Sequence, residues 1–133
     1  KIVINGGNQW RPFLHVADAA DIYSKAIELE NEHINGKIFN IGEDSLNLRI
    51  VDLIDYFNKV FPELTVEKSD NEDKRSYKVS FNKIKKEIGW SPKNSITDGI
   101  IEIKHRLEKN EIKDFRDINY YNIKRMLSYL NIK

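Results

Sequence analysis

Gly6-Gly7-Asn8-Gln9-Trp10-Arg11-Pro12-Phe13-Leu14-His15-Val16-Ala17-Asp18 sets a glycine turn, an arginine, a short apolar strand and a helix cap in one continuous stretch. Glycine tolerates positive φ, so Asn5 to Asn8 is expected to reverse the chain between Ile2-Val3-Ile4 and Arg11-Pro12-Phe13-Leu14. Arg11 then stands where a turn meets a strand. Its guanidinium offers a rigid fork of donors suited to phosphate or carboxylate and stays charged at any working pH, although an ordinary surface arginine fits the position too. Beyond it, Ala19, Ile22, Tyr23, Ala26 and Ile27 recur at helical spacing, which predicts a core-packed helix running to about Glu30 with Asp18 as its cap. His15 reads as a satisfied core histidine on the strand. Its sequence distance from His33 and His105 makes no metal-ligand pattern, and no catalysis is assigned to it.

Further along, Asn35-Gly36 turns the chain into Lys37-Ile38-Phe39-Asn40-Ile41-Gly42, an alternating run that predicts a strand in the same sheet as the Arg11–Val16 strand. A polar loop, Glu43-Asp44-Ser45, precedes a predicted helix from about Leu48 to Phe61 with Ile50, Leu53, Ile54, Phe57 and Phe61 on one face, ended by Pro62. Asn47 is placed to cap it. Leu64 to Lys68 is a short strand, and 69–74 is a charged loop without apolar anchors. Arg75 follows, in reach of an ion pair with Asp73. Tyr77 and Val79 are extended, Ser80 is a candidate N-cap, and Phe81, Ile84 and Ile88 form the apolar face of a short helix closed by Gly89. Ser95 with Asp98 predicts a capping box for a helix from Ile96 to about Lys109, with Ile100, Ile103 and Leu107 buried. A last helical pattern covers Asp114 to Leu130.

Several of these stretches together carry a resemblance. Gln9-x-Arg11-Pro12-Phe13-x-His15-Val16-x-Asp18-x-Ala20 comes first, then Phe39-Asn40-Ile41-Gly42, then Asn47. Asp73-x-Arg75-Ser76-Tyr77-x-Val79-Ser80-x-x-Lys83-Ile84 and Gly89-Trp90-x-Pro92 complete the series. In order and spacing, over residues 3 to 108, they resemble the C-terminal half of the extended short-chain dehydrogenase/reductases, the nucleotide-sugar epimerases and dehydratases. The resemblance implies an α/β substrate-binding lobe, rich in helix with short strands, that grips the diphosphate of a nucleoside-diphosphate sugar. It implies that Gln9, Arg11, Asn47 and Arg75 bind substrate, the two arginines straddling the diphosphate. One departure stands out: many relatives carry Arg-Pro-Gly about five residues before the position of Arg75, where this chain has Asp70-Asn71-Glu72.

Such enzymes bind NAD or NADP on a glycine-rich turn that opens a helix, and none of the 6 glycines here falls in a G-x-G-x-x-G spacing. The family's catalytic Tyr-x-x-x-Lys belongs upstream of the resembling segment. Tyr120-x-x-x-Lys124 has that spacing but lies after it, and residues four apart on any helix touch by geometry alone. The chain is therefore expected to be a C-terminal fragment without the Rossmann core. Its start at Lys1, inside a motif-bearing strand and without methionine, fits truncation. No cofactor and no catalytic residue is assigned to it, and NAD(P) belongs to the full-length parent. Residues 1–110 are expected to form the lobe and 111–133 a helical extension packed on it.

The 133 residues suit one domain-sized unit. With 22 Lys+Arg against 21 Asp+Glu, no bulk charge favours nucleic acid or an anionic membrane. The absence of cysteine removes disulfides and thiolate metal sites, and no apolar run reaches bilayer length. A cytoplasmic protein is expected. Its partners are a nucleoside-diphosphate sugar and the missing Rossmann domain, and the resemblance leaves room for a homodimer of the parent. The alternative is a free-standing binding module that retains the lobe's fold, distinguished by what is encoded upstream of Lys1.

Overall fold

A computed structural model describes residues 1–69 and 75–130. The chain divides into two compact units, Lys1–Ile101 and Glu102–Lys133. The fold is mixed α/β, with short strands and a helical majority.

In the first unit, β1 (Ile2–Asn5) leads through Gly6 and Gly7, at φ 75° and 130°, to β2 (Trp10–Pro12). The glycines do turn the chain, but the flanking strands enter different sheets. β1 runs parallel to β4 (Val66–Ser69), with Ile2 opposite Val66, and β2 runs antiparallel to β3 (Asn47–Arg49), with Arg11 opposite Leu48. Gly7 and Gln9 accept at their carbonyls from Val51 and Ile50, which fastens the turn to the chain beyond β3.

α1 spans Val16–Glu28, and its cap corrects the sequence expectation. His15, with extended backbone, accepts the Ala17 N–H on Nδ1 at 3.1 Å. Asp18 lies inside the first turn, buried to 2% exposure, and its carboxylate takes the N–H groups of Lys93 and Asn94 and the Asn94 amide at 2.9–3.1 Å. The carboxylate therefore serves a distant loop, and the cap falls to His15. Ile22 points into the core, whereas Tyr23 and Ile27, expected there, are 68% and 86% exposed.

After α2 (Asn31–Ile34), the predicted strand 37–42 pairs with no other strand among the described residues. β2 takes β3 as its neighbour instead. Ile38 is 84% exposed, while Phe39 and Ile41 pack on the core. The helix expected from Leu48 starts later. Arg49 donates its N–H to Asp52 at 2.9 Å and its guanidinium to the same carboxylate, so the chain passes through a 3-10 turn (Ile50–Asp52) before α3 (Leu53–Val60). Backbone demanded by the β2–β3 ladder cannot also be helical, which also removes Asn47 from the N-cap of α3.

α4 (Asn82–Ile88) closes on Gly89 at φ 67°, as the sequence implied. Its first N–H groups are served differently from expectation: Phe81 N–H goes to Asp44 Oδ1 at 2.9 Å, and Ser80 Oγ lies 3.5 Å from Asn82 N. Ile22, Phe81, Ile84 and Trp90 form the core, with Leu14, Val79 and Ile88 packed against it. The predicted box opens α5 (Ile96–Glu108), Ser95 N–H reaching Asp98 Oδ2 at 2.8 Å and Asp98 N–H reaching Ser95 Oγ at 3.2 Å.

Within the second unit, Ile103 and Leu107 on α5 are exposed rather than buried. Asp117 accepts the Asn119 N–H and starts a 3-10 turn, so the α-helix expected from Asp114 is confined to α6 (Asn122–Tyr129). Lys124 stacks on the Tyr121 ring at 4.4 Å. No helix among the described residues is long and apolar enough to cross a membrane.

Candidate functional site

The antiparallel ladder decides which edge of β2 is open. Gln9 and Phe13 bond to Ile50 and Leu46, so the odd residues face β3 and Trp10 and Pro12 face away. Residues 75–79 occupy that outer edge. Trp10 N–H donates to Ser76 Oγ at 3.1 Å, and Tyr77 N–H donates to the Trp10 carbonyl at 3.3 Å. Pro12 has no N–H for this edge, and past Tyr77 the attachment passes to a side chain. Asn47 donates Nδ2 to the Val79 carbonyl and accepts the Val79 N–H on Oδ1, both at 2.9 Å.

Arg11, half-buried on β2, donates Nη1 to the Trp10 carbonyl at 2.9 Å and also to the Arg75 carbonyl, 64 positions away. Its guanidinium carbon lies 5.5 Å from the centre of the Tyr77 ring, within cation–π range. Lys78 Nζ sits 3.6 Å over Trp10. Arg11 on β2 and Arg75, Tyr77 and Lys78 beside it thus belong to one short edge. A guanidinium beside an aromatic ring suits an anion with a stackable part.

Gln9 and Asn47 both make contacts within the chain. Gln9 folds back under the glycine turn, Oε1 accepting the Gly7 N–H at 2.8 Å, and a Cβ on Gly6 would meet that amide at 2.5 Å. The Asn47 amide is engaged at both ends with Val79, and Nδ2 also reaches the Asp44 carbonyl at 3.1 Å. Arg49 is bound to Asp52, whose carboxyl is held below its ordinary range by the Arg49 guanidinium and then by the Arg49 N–H. The ion pair considered between Arg75 and Asp73, and the acids at 70 and 72, lie outside the described residues.

Sequence reasoning missed Tyr77 and Asp44 as site-building residues. Tyr77 carried a signal in its place two residues after Arg75, which in extended backbone puts both on one side. Asp44 carried none, since its partner Phe81 is 37 positions distant.

A dinucleotide needs a glycine turn that opens a helix, and Gly6-Gly7 leads into β2. Among the described residues no glycine turn fits that group. Glu30, Glu32 and His33 form an exposed cluster of potential metal ligands around α2, remote in sequence from this edge.

Residues 1–42 match the model of the NAD dependent epimerase/dehydratase family. The chain is 34% identical over 105 residues to CDP-paratose 2-epimerase of Salmonella typhi, which covers 74% of this chain and 30% of that protein. It is 25% identical over 114 residues to UDP-D-apiose/UDP-D-xylose synthase 2 of Arabidopsis thaliana, covering 72% of this chain and 28% of the relative. A third likeness, to UDP-D-apiose/UDP-D-xylose synthase 1 of the same plant, is 26% identical over 132 residues, 84% of this chain and 33% of the relative. The chain thus spans about a third of the length of the curated relatives it matches. The model of the NAD dependent epimerase/dehydratase family and these relatives are thus what the chain is similar to.

Proposed function

We propose that this chain is the part of an NAD(P)-dependent nucleoside-diphosphate-sugar epimerase or dehydratase that grips the substrate's nucleotide diphosphate. The observation that carries the reading is the bond from the Arg11 guanidinium to the main chain of Arg75. It sets two arginine residues 64 positions apart in sequence on one edge, and a diphosphate's adjacent charges call for more than one fork. Gln9 shapes the turn that presents Arg11, and Asn47 fixes the segment that carries Arg75. The chain alone supplies binding and no turnover. Binding energy spent on the remote diphosphate orients the sugar for chemistry elsewhere, the cofactor taking and returning a hydride there.

A neighbouring domain that supplies the cofactor is part of this reading, and the exposed apolar surface supports it. Val16, Tyr23 and Ile27 recur along one face of α1 at 77%, 68% and 86% exposure, and Ile38 stands in a strand-like run without a partner. The parallel pair β1–β4 leaves Val3 more than half exposed, whereas parallel strands are ordinarily covered on both faces. An exposed apolar stripe along one helix face is the mark of an interaction site, which favours the lobe reading over a free-standing module. A cytoplasmic location belongs to the same proposal.

The test is calorimetry on the full-length protein carrying this sequence, with UDP and CDP as ligands. Arg11→Ala and Arg75→Ala should each weaken nucleotide binding about tenfold or more and leave NAD binding nearly unchanged. Wild-type affinity in both variants would overturn the reading.

A further inference from the structure

We propose that Asn47 is a positioning residue for this grip: its amide clamps the main chain at Val79 and thereby sets where the Arg75-to-Val79 segment lies against Arg11. The inference rests on the proposed nucleotide-diphosphate site and gives Asn47 a role that needs no contact with the ligand. Its basis is a pair of hydrogen bonds, Nδ2 to the Val79 carbonyl and Val79 N–H to Oδ1, both 2.9 Å. A carboxamide presents one donor and one acceptor side by side, the pattern that a neighbouring strand offers. The clamp stands where the ladder cannot continue, because Pro12 on β2 has no N–H to give.

The Val79 side chain also packs on the core, and the amide pair fixes its main chain. Upstream, Asp70-Asn71-Glu72-Asp73-Lys74 contains no apolar residue to bury. Downstream, Asp44 takes the Phe81 N–H at 2.9 Å, and the Asp44 carbonyl accepts from Asn47 Nδ2 at 3.1 Å, so one short turn holds both the end of the segment and the start of α4. Between these points Arg75, Ser76 and Tyr77 bond to β2. The Arg75 carbonyl, on which the Arg11 guanidinium rests, lies four residues before the clamp. Releasing the Val79 main chain lets that stretch shift along the edge, and the Arg75 carbonyl shifts with it relative to Arg11. Aspartate keeps the size of asparagine and the acceptor for the Val79 N–H but sets a carboxylate oxygen against the Val79 carbonyl, so it breaks half the clamp without opening a cavity.

The experiment uses the full-length protein, with hydrogen exchange in the absence of ligand and calorimetry with UDP and NAD. In Asn47→Ala and Asn47→Asp, exchange at the Val79 amide should rise at least tenfold while the Ile84 amide in the core keeps its protection. UDP binding should weaken about fivefold or more, NAD binding should stay at the wild-type value, and the Asn47→Ala/Arg75→Ala double variant should lose less than twofold beyond Arg75→Ala. That non-additivity is what positioning predicts, and a merely destabilised fold would not produce it. Unchanged Val79 exchange in both single variants overturns the clamp. Wild-type UDP affinity in both, with Arg75→Ala still weakened, overturns the positioning role and leaves the grip standing. A wild-type protein that binds no UDP or CDP overturns the grip and this inference together.

Discussion

The carboxylate of Asp18 holds the main chain of Asn94, 76 positions away, and does so while buried to 2% exposure. Lys93 N–H and the Asn94 amide bond to the same group at 2.9 Å, so the first turn of α1 is tied to the loop before α5. Asp18→Ala strands three donors at once. We expect a loss of about 3 kcal/mol, read as a lower urea midpoint with unchanged slope. A loss below about 1 kcal/mol would show that the loop finds other partners.

Asp21 ties the same helix to Trp90. Its carboxylate accepts Trp90 Nε1–H at 2.8 Å and pairs with Lys93, and these bonds, the Trp90 one foremost, hold its pKa below the ordinary 3.8. A depressed carboxylate pKa contributes stability that is present above 3.8 and disappears as pH falls through the lower folded value. The melting-temperature gap between wild type and Asp21→Asn should therefore be largest near neutrality and close on the acid side of 3.8. A gap independent of pH would remove the linkage.

Gly42 sits at φ 150° against the buried Phe81 ring, and a Cβ there would stand 2.6 Å from a ring carbon. Gly42→Ala must displace a core side chain. Destabilisation of about 2 kcal/mol by denaturant titration is expected, and Gly36→Ala, which meets nothing within 4 Å, should cost less.

Tyr77 lies within cation–π range of Arg11. In the full-length protein Tyr77→Phe should keep UDP affinity, because the ring face is retained, and Tyr77→Ala should weaken it about threefold. Equal losses in both variants would assign the effect to the hydroxyl.

The apolar face of α1 gives the last expectation. Tyr23→Glu and Ile27→Lys alter residues 68% and 86% exposed, so each should shift the stability of this chain by no more than about 0.5 kcal/mol while lowering its binding of a hydrophobic dye. Substantial unfolding in either would mean that these side chains are covered within the chain.

Local chemistry was legible in the sequence. The glycine turn at Gly6-Gly7, the close of α4 on Gly89 and the Ser95–Asp98 box all appear where the residues implied, because each depends on bonds within a few positions. The apolar period of Phe81, Ile84 and Ile88 likewise found the core. Only the tertiary structure decided the long-range pairings: β1 beside β4, Asn47 on Val79, Asp18 on Asn94 and Arg11 on Arg75. A side-chain amide or carboxylate near a helix start satisfies a local cap or a distant main chain with equal chemistry, and nothing in its neighbours' identity chooses between them. Periodicity also marks an apolar face without saying what covers it. Ile22 faces the core of this chain, while Tyr23 and Ile27 on the same helix face outward.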